Sequence, residues 1–216
     1  MQKARPVKTL LHMVAALAGI QLLRMSLRRL CYLFIPKTMQ TDQTITGVFF
    51  LLALVVIAVL LRANAYRINM LPDLSGASAK IGWAIATAIT LLIMLSGLFV
   101  TGQASLEAVA LLAYGSVLTP LFEETLFRGI LWRHLEKAGF SKWATYIAAT
   151  VLFALWHIGY IDSIAWRMAG GNLPWAMGMK VLVGLAVGVL TGLARMKTGN
   201  VYAAVLAHAI WNTFGR

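Results

Sequence analysis

The feature that most limits what this chain can become is the recurrence of apolar runs close to the length of a membrane crossing. A hydrocarbon core about 30 Å thick is spanned by a helix of about 20 mostly apolar residues rising 1.5 Å each. About seven such runs occur, at residues 9–23, 45–61, 81–101, 106–122, 143–161, 175–194 and 201–214, the first and last being the shortest. Composition agrees: 60% of the residues are hydrophobic and 12% charged, with a mean hydropathy of +0.79, which excludes disorder and a charged soluble surface. The expected fold is an all-α polytopic integral membrane bundle of about seven transmembrane helices.

The net charge is +12, from 19 Lys and Arg against seven acids. These cations lie between the apolar runs and form no patch, as residues that fix membrane orientation do. The expected partner is therefore the lipid bilayer and not nucleic acid. Basic residues fall on both sides of alternating spans, so the orientation stays open. The single cysteine, Cys31, leaves no intramolecular disulfide.

Lys3, Arg5 and Lys8 before Ala16-Leu17-Ala18 have the look of a signal peptide, but the run continues to Leu23 and a retained helix is expected. Arg24, Arg28, Arg29 and Lys37, set among Leu30, Tyr32, Leu33 and Phe34, are expected to form a basic amphipathic segment along the interface. Trp143, Trp166 and Trp175 sit at span ends as headgroup-level anchors. Gly184, Gly188 and Gly192 place a small-residue strip on one face of the sixth span, which allows another helix to approach closely.

Ionisable side chains in hydrocarbon cost about 2.5–3.5 kcal/mol each on insertion scales, so each needs a partner or a task. Few occur here: Glu123, Glu124 and Arg128 at the end of the fourth span, His157 in the fifth, and His208 with Asn212 in the seventh. Adjacent on a helix, Glu123 and Glu124 point about 100° apart and meet different neighbours. Glu124 and Arg128 are four apart in the acid-before-base order that favours an ion pair, which would leave Glu123 unpaired. The other reading is that the two acids open a solvated loop after the span.

Phe153 and His157 share a helix face one turn apart, as do His208 and Asn212. Together these residues hold the parts for hydrolysis by water. Glu123 would be the general base, His157 would share the attacking water, and His208 with the Asn212 amide would donate to the developing oxyanion.

Glu123-Glu124-x-x-x-Arg128, Phe153-x-x-x-His157 and His208-x-x-x-Asn212, in that order on separate apolar segments, resemble the three signature motifs of the CAAX protease and bacteriocin-processing (CPBP, or Abi) family of intramembrane proteases. That family includes the Rce1-type prenyl-protein endopeptidases. The resemblance covers about residues 106–214. It implies a metal-independent glutamic peptidase with no cofactor, in which Glu123 is the water-activating base, His157 assists, and His208 and Asn212 form the oxyanion site. Glu124, Arg128 and Phe153 would support them. Residues 1–104 would then supply N-terminal transmembrane helices and the interfacial segment, and 105–216 the catalytic core. The implied substrate is a membrane-associated protein or peptide, prenylated or not, and the expected location is the bacterial cytoplasmic membrane, with the oligomeric state open.

Other chemistries fit less well. No His-Glu-x-x-His zinc motif is present, no aspartates pair within the spans, and Gly115-Ser116 lacks the second glycine of a Gly-x-Ser-Gly nucleophile turn. Two alternatives stand: a zinc enzyme with Glu123, His157 and His208 as ligands, and a non-catalytic membrane scaffold or bacteriocin-immunity protein.

Overall fold

The computed structural model describes residues 4–64, 66–100, 102, 105–168 and 170–214. Lys3, Arg216, the side chain of Arg5 and the Thr101 end of the third expected span lie outside them. Among the described residues seven helices follow the apolar runs: α1 Ala4–Cys31, α2 Met39–Ala63, α3 Ala77–Val100, α4 Leu106–Lys137, α5 Lys142–Arg167, α6 Leu173–Thr198 and α7 Val201–Phe214. The first six are long and apolar enough to cross a membrane; α7, with 14 residues, reaches about 21 Å. No strand occurs among the described residues.

Short polar signals set the helix ends. Thr38 caps α2 in a reciprocal box with Thr41, and Ser105, Ser141 and Asn172 each accept a first-turn N–H at the starts of α4, α5 and α6. Gly199, at φ +74°, ends α6 in the left-handed conformation and lets the chain turn into α7 within two residues. Leu51, Leu52, Val55, Val56 and Val59 on α2, with Ile81, Ile85, Ile89 and Leu92 on α3, are exposed. An apolar surface of that extent belongs against lipid.

Inside, aromatic rings tie α2, α4 and α5 together. Phe50 stacks on Phe122 at 4.2 Å between centroids, and Phe127 meets Phe153 and Trp156 edge-on at 5.1 and 5.7 Å. The glycine strip of α6 faces α5 as expected: a methyl group on Gly192 would lie 2.8 Å from the Tyr146 ring. Trp143 and Trp175 are exposed at helix ends, in keeping with anchoring.

Two segments depart from expectation. The fourth span does not end at Phe122 but runs to Lys137, so Glu123 and Glu124 lie within a helix and are buried, not at the start of a loop. That helix widens into π turns at Tyr114–Leu118 and Thr125–Leu131, on either side of the glutamates. Pro120 accounts for the first, because its ring would crowd the carbonyl four residues back.

The second departure is residues 24–37, expected along the interface. α1 continues to Cys31 and buries Arg24 and Arg28 completely. The cause is a pair of acids remote in sequence: Arg28 bonds Asp42 and Asp162, Arg24 bonds Asp162 at 3.0 Å, and Arg167 also bonds Asp42. Tyr32 and Ser163 donate to the same Asp42 carboxylate, at 2.6 and 3.1 Å. Asp42→Asn removes the charge that holds two guanidiniums and is expected to destabilise the protein by about 1.5–3 kcal/mol, read as a lower thermal midpoint in detergent. An unchanged midpoint would count against this cluster as a structural tie.

Candidate active site

A cavity of about 420 Å³ opens between α2, α4, α5, α6 and α7. Glu123, His157, His208 and Asn212 line its inner part, and Asp42, Arg167 and Lys180 line the part nearest the α1–α2 and α5–α6 connections. Of the seven residues singled out by the motifs, Glu124, Arg128, Phe153, His157 and His208 are joined by direct contacts, Glu123 lies 3.9 Å from His208, and Asn212 lines the same cavity with its amide on the Gly115 carbonyl.

The two glutamates do have separate surroundings. Glu124 Oε2 pairs with Arg128 Nε at 3.2 Å, both side chains having no exposure, while its Oε1 accepts from His208 Nδ1 at 2.7 Å. Arg128 in turn donates to the Gly188 carbonyl at 2.8 Å and lies 4.4 Å over the Phe153 ring. Among the described residues no guanidinium pairs with Glu123. Its Oε1 accepts from Trp156 Nε1 at 3.1 Å and the Tyr160 hydroxyl at 2.8 Å, and its Oε2 lies 3.9 Å from His208 Nε2. That gap is too long for a direct hydrogen bond and suits a bridging water.

Backbone irregularity creates the remaining contacts. At His157, α5 tightens into a 3-10 turn through Tyr160, and His157 Nδ1 donates to the Phe153 carbonyl at 2.8 Å, so a neutral ring presents the Nε2 lone pair. In the first π turn of α4 the Thr119 N–H goes to Tyr114, and Pro120 has no N–H to give. The Gly115 carbonyl, denied both donors, accepts the Asn212 amide at 2.8 Å instead. Phe153 braces both imidazoles, with centroids 5.0 Å from His157 and 5.7 Å from His208.

Several contributors carry no signal in the motifs. Trp156 and Tyr160 hold Glu123, although aromatics near a span end read as interface residues. Gln21 of α1 donates to the Trp156 carbonyl at 3.0 Å, and Arg24 bonds the Gly159 carbonyl, so the first helix braces the turn that carries His157. The only sequence trace of that role is a polar Gln21 within an apolar run. The Glu124–His208 contact was also not foreseen, since the ion pair with Arg128 was the only partner the spacing offered.

Chemically the site offers a buried carboxylate with one oxygen fixed and the other open to the cavity, two imidazoles and an amide. Among the described residues, no three His, Cys, Asp or Glu side chains are grouped to hold a metal ion, the set Glu123, His157 and His208 included.

The family model described as Type II CAAX prenyl endopeptidase Rce1-like matches residues 104–214, which contain every one of these motif residues. No curated protein and no solved structure matches the chain.

Proposed function

Because the chain belongs to the Rce1-like type II CAAX prenyl endopeptidase family, a family of membrane proteases whose model covers just over half of it, we propose that it hydrolyses a peptide bond of a membrane-associated protein or peptide using water activated by Glu123. The observation that carries this reading is the Glu123 carboxylate itself. Trp156 and Tyr160 hold Oε1 and turn Oε2 toward the cavity and His208.

Water between Glu123 Oε2 and the His157 Nε2 lone pair gives its proton to Glu123 as its oxygen attacks the carbonyl carbon. The oxyanion takes hydrogen bonds from His208 Nε2 and from the Asn212 amide. Donors of this kind are worth about 10²–10³ in rate. Glu123 then returns the proton to the leaving amine as the tetrahedral intermediate collapses. Glu124 holds His208 from behind, and Arg128 and Phe153 hold Glu124 and the imidazoles. In this reading 105–216 carries the chemistry, while 1–104 closes the cavity through Asp42 and Thr46 and braces the His157 turn.

The α6 strip gives a local check. A methyl group on Gly184 would lie 2.6 Å from His157 Nδ1, against a nearest approach of 3.3 Å at Gly188. Gly184→Ala is expected to push the imidazole off the Phe153 carbonyl and lower turnover about 10–100-fold in a folded protein. Activity equal to that of Gly188→Ala would contradict this placement of His157.

The proposal is tested by incubating purified protein in detergent with prenylated and unprenylated membrane peptides in excess chelator. Cleavage that persists is the expected result. Cleavage lost with chelator and restored by Zn²⁺ would replace this mechanism with the zinc reading.

A further inference from the structure

Successive crossings alternate in direction, so the first face of the bundle carries the start of α1, the α2–α3 and α4–α5 connections and the end of α6. The second face carries the α1–α2 and α5–α6 connections. The catalytic cavity opens toward the second: Met39, Asp42 and Arg167 line it, and among the described residues none from 62–80, 133–142 or 195–200 does. Behind the site the first face is closed. The Val201 and Tyr202 N–H groups donate to the Asn69 and Met70 carbonyls at 2.8 and 2.9 Å, and a methyl group on Gly129 would lie 2.9 Å from Ile68 Cδ1. Residues 68–70 are thus packed between the start of α7 and α4.

The two faces also differ in their cations. Arg62, Arg67, Lys80, Lys137, Lys142 and Lys197 are exposed at the first face, against Arg29 and Lys37 at the second, where Lys180 lines the cavity. The arginines that set the sequence count against itself are not at a surface: Arg24 and Arg28 are buried against Asp42 and Asp162, and Arg167 bonds Asp42. Held inside the protein, they are not headgroup-level topology signals. Lys and Arg in short connections stay on the cytoplasmic side. Resting on the peptidase reading for the chemistry, we propose that the first face is cytoplasmic and the catalytic cavity opens on the opposite one. Its substrate is then a peptide or protein segment already carried across the membrane. A segment offered from the cytoplasm would meet the closed end of the bundle.

The test uses full-length protein in spheroplasts of a bacterial host, with Cys31→Ser removing the one native cysteine and Gln40→Cys, Gln43→Cys or Ser78→Cys added singly. Gln40 is exposed on the first turn of α2 and Gln43 lines the cavity, both at the second face. Ser78 is exposed on the first turn of α3, at the first face. A small sulfonated thiosulfonate reagent that does not cross the membrane should block the thiols of Gln40→Cys and Gln43→Cys in intact spheroplasts. The thiol of Ser78→Cys should be blocked only after permeabilisation.

The reverse pattern, or labelling of both Gln40→Cys and Ser78→Cys before permeabilisation, would overturn the orientation. Labelling of Gln40→Cys without Gln43→Cys would overturn the opening of the cavity on that face. In the same spheroplasts, membrane peptides that carry a sulfonated tag and are added outside should be cut by wild type and not by Glu123→Gln. Cutting only after permeabilisation would overturn the substrate assignment. No cutting before or after, with the labelling as expected, would sink the peptidase reading and its substrate while leaving the orientation standing.

Discussion

Glu123→Gln is expected to lower peptide cleavage by about 10³-fold or more in a protein that stays folded and still binds substrate. A positioned general base contributes about 10²–10⁴ in rate, and an amide cannot take the water's proton. Glutamine keeps the shape of glutamate, and its carbonyl oxygen still accepts from Trp156 and Tyr160, which hold Glu123 at 3.1 and 2.8 Å. Among the described residues no guanidinium pairs with Glu123, so losing its charge strands no buried arginine. The loss should therefore appear in kcat, with KM and the thermal midpoint in detergent close to wild type. A variant that kept a tenth of the activity would remove Glu123 from the chemistry.

Arg128→Ala is expected to have the largest effect on stability, about 3–5 kcal/mol, because it leaves Glu124 charged and buried without its guanidinium. Both side chains of that pair have no exposure, and Arg128 also donates to Gly188 on α6 and covers the Phe153 ring. One side chain thus joins α4, α5 and α6 behind the cavity. The variant should lose expression and melt well below Glu123→Gln. Pairing Arg128→Met with Glu124→Gln should recover part of the loss, since replacing both members of a buried pair costs less than removing one. Equal midpoints for Arg128→Ala and Glu123→Gln would contradict the pairing.

The fold was legible where hydropathy alone decides it. α2, α3 and α6 follow their apolar runs because every helix that crosses lipid must be apolar over its length. α4 reads short because Glu123 and Glu124 look like the start of a loop while the groups that meet them on α5 and α7, Trp156, Tyr160 and His208, are unseen. Arg24 and Arg28 misled in the same way: a basic run beside apolar residues reads as interfacial until Asp42 and Asp162 are placed next to it.

The motif spacing brought the seven motif residues together, and it foresaw the Glu124–Arg128 pair because both members lie on one helix. It could not give the contacts made between helices, such as His208 with Glu124. It also missed those that depend on a broken helix, such as Asn212 with the Gly115 carbonyl that Pro120 leaves without a donor.

The most direct test of the account is mass spectrometry of the products that purified full-length protein releases in ¹⁸O-water with chelator, from a pool of prenylated and unprenylated membrane peptides. Wild type should yield paired fragments with one heavy oxygen at each new C terminus, and Glu123→Gln should yield none above background. Intact peptides after wild-type treatment, in a pool that a control protease cuts, would contradict the account, and so would equal fragments from both proteins.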